Sequence, residues 1–391
     1  MRKFVANHVE NLPPSGIRKF FDVVATMSGI VSLGVGEPDF KTPEHVRKAA
    51  IDVLEEGKTR YTANLGLPAL REKIAHYLER RFDLSYDPTN QIVCTIGASE
   101  AIDVALRTIL EPGDEVLVIE PCYVSYKPSI ILQHGVPVVV TTKVENDFKV
   151  TPEELESAIT EKTKAVILPY PNNPTGATMG KEDLEKIAPV LTKHDLLVIS
   201  DEIYAELTYG DADHVSIASV EGMYERTIVL NGFSKSFAMT GWRLGYAAGS
   251  VDLIKEMNKI HAYIVMSAPV VSQHGAIEAL ANDDVCDADI AIMREAYDER
   301  RKYLIGEFNR LGMTCFEPKG AFYVFPSIQK TGLGSEEFCE KLLFEGGVAV
   351  VPGNAFGDCG EGFIRISYAY SMDELKICIG KIEEFMKQLQ G

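Results

Sequence analysis

From about residue 91 the chain alternates between short apolar, β-branched runs and longer stretches of helical period. The apolar runs fall at 92–96, 115–119, 136–141, 164–168, 196–200 and 227–231, and helical patterns fill gaps at 99–110, 152–159 and 181–193. The runs are nearly continuous in apolar residues, as strands buried on both faces require. The return of helix between them is the mark of crossover units on a mostly parallel sheet. A further β-type run, Leu244 to Ala248, is expected at an edge of that sheet. Ahead of this region, residues 1–45 read as an arm. It has an amphipathic segment after Pro13-Pro14 and an apolar Ile30–Leu33 leading into GVGEPDF. Helices are expected near 43–56 and 67–82, on either side of TRYTANLG.

After Ser250 the pattern changes. Helical periods run to about 281, a long charged one covers 286–311, and short strands are expected at 313–316, 321–325, 348–350 and 363–367, with helices at 335–345 and 371–388. The pattern predicts an α/β chain with a large domain over 46–285. A smaller α+β domain combines 286–391 with the arm of 1–45. No repeat or low-complexity linker separates them, so the two are joined through helix.

With 391 residues, 46% of them hydrophobic, the chain can bury a large core. The net charge of −18 argues against nucleic acid, which needs a basic patch, and gives no reason to bind an anionic membrane. In so acidic a chain an anionic ligand needs locally gathered arginines. Seven cysteines are scattered without a CxxC, so reduced thiols are expected rather than a disulfide framework. The start, MRKFVANHVENLPPSG, has no continuous apolar core of a signal peptide, and no stretch nears the roughly 20 apolar residues of a spanning helix. A soluble cytoplasmic protein is expected.

Candidate chemistry gathers at the ends of the apolar runs. In TIVLNGFSKSFAMTGWRLGY, Lys235 follows a buried run, where lost hydration lowers an amine's pKa and makes it nucleophilic. A lone lysine is more often solvated in a loop. Ser234 and Arg243 of the same motif suit a phosphate. GASEA, Gly97–Ala101, puts small residues at a helix start, either an anion site with Ala98 and Ser99 or an ordinary capped turn. Tyr123 of EPCYVSY is a stacking platform or a core ring. YPNNPTG, 170–176, reads as a turn, with Asn172 or Asn173 as a donor. In SDEIYAE, Asp201 ends a buried run, where a carboxylate needs a cation or donors unless it merely caps a helix; Tyr204 follows it. Arg365 of EGFIRISYA is a carboxylate fork or a structural ion pair. GxGxxG, a P-loop, HExxH and close His/Cys clusters are absent, so neither a dinucleotide site nor a metal is expected.

SKSFAMTGWRLGY resembles the lysine signature of the class I/II aminotransferases, fold type I enzymes that use pyridoxal 5'-phosphate. The resemblance runs from about Pro14 to the C-terminus and is nearest to the prokaryotic aspartate and aromatic aminotransferases. It implies the following roles. Lys235 bears the cofactor and carries the proton. Ala98, Ser99, Ser234 and Arg243 form the phosphate cup. Tyr123 stacks on the ring, Asp201 meets its nitrogen, and Asn173 and Tyr204 meet its phenolate oxygen. Arg365 takes the substrate α-carboxylate beside Gly36 and Asn173. Tyr61 of RYTANLG reaches the phosphate of a partner subunit, which makes a homodimer. The implied reaction transfers an amino group from aspartate or an aromatic amino acid to a 2-oxo acid such as 2-oxoglutarate, by ping-pong kinetics. A C–S β-lyase on the same cofactor is the alternative, and a DNA-binding regulator a more distant one. For the substrate side chain, Arg18, Lys19 and Lys127 are candidate cations, and Ile17, Phe20 and Phe21 a candidate apolar cover.

Overall fold

The computed structural model describes residues 2–12 and 29–390. The candidates Ile17, Arg18, Lys19, Phe20 and Phe21 lie outside the described residues. A two-residue strand, β1 (Val31–Ser32), precedes the main sheet, whose strands are β2 (Ile92–Thr95), β3 (Glu115–Glu120), β4 (Val136–Thr141), β5 (Thr163–Leu168), β6 (Leu197–Asp201), β7 (Thr227–Gly232) and β8 (Gly245–Ala248). Their order is β2-β8-β7-β6-β5-β3-β4, and all the pairings except those of β8 are parallel. The helices of seven residues or more up to Arg310 are α1 (Glu44–Glu55), α2 (Pro68–Phe82), α3 (Gly97–Ile109), α4 (Tyr126–Leu132), α5 (Pro152–Ala158), α6 (Lys181–Lys193), α7 (Val251–Ile264), α8 (Val270–Ala279) and α9 (Asp283–Arg310). A mostly parallel sheet between helices is what the alternating pattern predicts.

Side-chain alternation along each strand feeds two cores. Leu117, Ile119, Val166 and Val198 pack with Leu155 of α5 and Leu184, Ile187 and Leu191 of α6. Val116, Val118, Ile167, Ile199 and Ile228 pack with Ile102, Val104 and Leu106 of α3 and with Ile254 and Met257 of α7. Each such aliphatic contributes about 1.5–3 kcal/mol on burial. Local chemistry agrees with the packing: α5 begins with a Thr151–Glu154 capping box and Pro152 in its first turn.

Two expectations need correction, and one helix was not foreseen. The run at Leu244–Ala248 is not an edge strand: β8 lies between β2 and β7, antiparallel to both. Glycine permits the close pairing with β7, because a Cβ on Gly232 would stand 2.9 Å from the Cα of Gly245. No strand forms at 313–316, where the Cys315 amide bonds the Asn309 side chain instead of a neighbouring strand. Helix α4, which no apolar period signalled, occupies 126–132.

Beyond α9 come β9 (Tyr323–Val324), α10 (Ser335–Gly346), β10 (Val348–Ala349), β11 (Val351–Pro352), β12 (Ile364–Ser367) and α11 (Met372–Gln390). Their core joins Leu304 and Phe308 of α9 to Phe338, Leu342, Ile366, Ile379 and Phe385, with Leu33 from the N-terminal segment. The strand pairs are β1 with β10, and β12 between β11 and β9. No helix of the described residues is long and apolar enough to cross a membrane.

Candidate active site

Because β2, β3, β5, β6 and β7 run in one direction, their C-terminal ends open on one edge of the sheet. The turns that follow them converge there. They surround a cavity of about 820 Å³ that Arg365 and Tyr323 close from the far side. Ala98, Ser99, Tyr123, Asn173, Asp201, Tyr204, Ser234, Lys235, Arg243, Arg365 and Gly36 all line it. Of the residues expected to hold the cofactor or the substrate carboxylate, Tyr61 is elsewhere, 80% exposed on the surface of its own chain.

Lys235 sits in a single helical turn, Phe233–Ser236, directly after β7. Its Nζ donates to the Gly36 carbonyl at 2.6 Å and lies 5.7 Å from the Tyr204 ring centre and 5.5 Å from that of Phe322. Burial lowers its pKa from the ordinary value to about 8; nearby Glu37 opposes the shift, and Arg365 and Arg243 add to it. This is not a solvated loop lysine.

Arg365 projects from β12 and is 4% exposed. It is stacked between the rings of Tyr323 and Phe356, with its guanidinium carbon 4.5 and 4.7 Å from their centres. One terminal nitrogen donates to Asn173 Oδ1 at 2.9 Å, another donates to the Gly34 carbonyl, and Nε has no partner. Among the described residues no carboxylate pairs with it, and burial lowers its pKa. The structural ion pair that usually explains such an arginine is missing. A buried cation of this kind is costly until an anion arrives.

Asp201 ends β6 and is 7% exposed. Burial raises its pKa, and hydrogen bonds from the Tyr126 hydroxyl (2.7 Å) and the Ile203 amide (3.3 Å) pull it back. Tyr204 comes just after it, its hydroxyl 2.9 Å from that of Tyr323. Helix α3, whose Ala98 and Ser99 line the cavity, starts at Gly97, where a φ of +70° suits glycine. A Cβ there would also meet Arg243 Nη2 at 2.7 Å. The bare turn lets Arg243 lie against the first amides of the helix, which are natural anion donors.

Asn172 and Asn173 separate clearly. Asn172 is buried and ties the turn together, accepting from Thr175 and donating to the Pro121 carbonyl, whereas Asn173 faces the cavity. Lys127 is not a free cation for a substrate: it pairs with the buried carboxylate of Glu120. Two tyrosines of the cavity escaped the sequence reading. Tyr126 is the second tyrosine of EPCYVSY, and Tyr323 lies in GAFYVF, where nothing local distinguishes it from core. All seven cysteines are unpaired.

A model of the family "Aminotransferase class I and II" matches residues 28–382. Relatives include an aspartate aminotransferase of Pyrococcus abyssi, 45% identical over 98% of both chains. Another is aromatic-amino-acid aminotransferase 2 of Thermococcus litoralis, 43% identical over 98% of both. The crystal structure of a Pyrococcus protein designated A1 superposes with a TM-score of 0.96 at 45% identity, over 98% of this chain and 99% of that one.

Proposed function

The chain belongs to the class I and II aminotransferases, pyridoxal-phosphate-dependent enzymes of fold type I, and from that premise we propose that it transfers the amino group of L-aspartate or an aromatic L-amino acid to a 2-oxo acid such as 2-oxoglutarate. The observation that carries the assignment of the site is one cavity holding both a lysine of lowered pKa and a buried arginine without a counter-ion.

The donor set fits the cofactor. The α3 amides at Ala98 and Ser99, with Ser234 and Arg243, supply hydrogen bonds and charge for a phosphate. Tyr123 offers a flat ring. Asp201, whose pKa burial raises, suits a cationic ring nitrogen. Asn173 and Tyr204 line the same cavity as Lys235. When bound, pyridoxal phosphate supplies the carbon that receives the amino group and the ring that takes up the electron pair released at the substrate α-carbon. Arg365 binds the α-carboxylate, with Asn173 and the Gly36 backbone fixing its pose. Lys235 takes the α-proton as a base and returns one as an acid. The first product leaves before the second substrate enters, so the kinetics are ping-pong.

The test is the absorption spectrum of the purified protein with pyridoxal phosphate. A visible band that bleaches on adding one amino acid, without any acceptor, is the expected result. Whichever of aspartate, glutamate and phenylalanine bleaches it at the lowest concentration is the preferred donor. A band that persists while pyruvate accumulates from cystathionine would replace this reading by C–S cleavage, and no band at all would end it.

A homodimer completes the proposal. Tyr61 stands outside its own cavity beside other exposed apolar side chains, Tyr263 (90% exposed), Ile264 and Met266, and Asn64 links the two segments through the Met266 carbonyl at 2.8 Å. Such a patch suits a second copy, with Tyr61 entering the partner's phosphate site. Tyr61→Ala should weaken cofactor binding about ten- to a hundredfold, the worth of a hydrogen bond to a charged group. Mixed dimers of Tyr61→Ala and Lys235→Ala chains should regain one intact site, whereas no recovery on mixing would place Tyr61 in its own subunit or away from the site. The division into a large unit of 46–285 and a smaller unit of 1–45 with 286–391 belongs to the same reading, supported by a core around Phe308 and Phe338 drawn mostly from 286–391 and Leu33, onto which Tyr204, Leu207 and Tyr209 of the large unit pack. So does a cytoplasmic location, supported by the unpaired thiols.

A further inference from the structure

Tyr126 opens α4, is 3% exposed, and touches two of the residues assigned to the cofactor ring. Its hydroxyl donates to Asp201 Oδ2 at 2.7 Å, and its ring meets that of Tyr123 edge-on, with centres 5.6 Å apart and planes at 81°. Among the described residues Asp201 has one other donor, the Ile203 amide on Oδ1 at 3.3 Å. Of the nearby charges, Glu202 disfavours its anion and Lys235 favours it. The Tyr126 phenol is itself held protonated by burial and by Asp201, so it remains a donor.

We propose that Tyr126 is a positioning residue for the cofactor: its hydroxyl fixes the Asp201 carboxylate and weakens it as a base, so that the proton between Asp201 and the ring nitrogen rests on the nitrogen. The proposal builds on the reading of Asp201 as the partner of that nitrogen. Two bases in a dry site compete for a single proton, and the weaker base yields it. A carboxylate that already accepts a hydrogen bond from a phenol is stabilised as the anion and is therefore the weaker base. Burial pulls the other way, and among the influences on Asp201 that restore the anion the Tyr126 bond is the largest. Removing the hydroxyl should let the proton move to the carboxylate and leave the ring nitrogen neutral, at the expense of its capacity to take up electrons. A tyrosine that only packed against Tyr123 would leave that proton where it was.

The test is nitrogen-15 magnetic resonance of the holoenzyme loaded with ring-labelled pyridoxal phosphate, comparing wild type, Tyr126→Phe and Asp201→Asn at neutral pH. Wild type should resonate at the pyridinium position. Tyr126→Phe should move towards the neutral position that Asp201→Asn marks, while its apoprotein melts within a few degrees of wild type. A Tyr126→Phe resonance that coincides with wild type overturns the proposal. A wild-type label already at the neutral position overturns the reading of Asp201 beneath it. Should the phenylalanine variant not fold, Tyr126→Met fills the same space with a pliant apolar chain, and the same comparison decides.

Discussion

Lys235→Ala is expected to leave a protein that still takes up pyridoxal phosphate but transaminates roughly 10⁴-fold more slowly, the upper range for a positioned general acid–base. Binding survives because the groups around Gly97, Arg243, Asp201 and Asn173 are untouched. Turnover does not, because among the described residues Lys235 is the only lysine lining the cavity, and Lys127 is engaged by Glu120. The pKa of about 8 gives the prediction a pH signature. Below that value Nζ is an ammonium and cannot attack; above it the amine is free, so capture of the cofactor by the wild-type apoprotein should accelerate as pH rises through about 8. Linkage gives the same sign for stability. Between pH 8 and the ordinary lysine value the unfolded chain holds a proton that the folded one has released, so the apoprotein gains stability as pH rises across that window. Lys235→Ala should abolish both dependences. Turnover within tenfold of wild type would remove Lys235 from its proposed role.

Much of this site was legible because a parallel sheet concentrates chemistry in one place. GASEA, EPCYVSY, YPNNPTG, SDEIYAE and SKS each follow an apolar run, and parallel pairing carries all their ends to one edge. Period and position therefore sufficed to group Ser99, Tyr123, Asn173, Asp201 and Lys235 before any contact was known. What stayed hidden depends on partners distant along the chain. The place of β8 rests on glycine letting one backbone approach another, and GYAA carries no sign of its neighbours. Whether Lys127 was free turned on Glu120, a residue buried at the end of β3 that reads as ordinary strand. Tyr126 looked like one more aromatic of EPCYVSY until its hydroxyl met Asp201. Between Asn172 and Asn173 the motif left a choice, and the bonds of Asn172 to Thr175 and Pro121 leave only Asn173 facing the cavity.

Arg365→Lys should lower kcat/KM for amino acids by about 10²–10³, a loss of roughly 3–4 kcal/mol, within the range for truncating one partner of a buried, hydrogen-bonded charge pair. Charge is conserved in this substitution, so the loss isolates geometry. The planar fork now spans Asn173 Oδ1 and the Gly34 carbonyl while Nε stays unpaired between the rings of Tyr323 and Phe356. An ammonium offers no such plane, stacks poorly between two rings and cannot grip a carboxylate at two points. It also leaves Asn173 or Gly34 without its donor in a buried place, about 1–3 kcal/mol for an orphaned acceptor. The weakened grip should appear mostly in KM, since the carboxylate is held in the ground state as well as in the transition state. An amine that lacks the carboxylate, such as phenylethylamine, has nothing to lose at this position. The ratio of kcat/KM for phenylalanine to that for phenylethylamine should therefore fall by the same 10²–10³ in the lysine variant. Equal losses for both compounds would mean that Arg365 only holds Asn173 and Gly34 in place, and the α-carboxylate would then have to be bound elsewhere in the cavity.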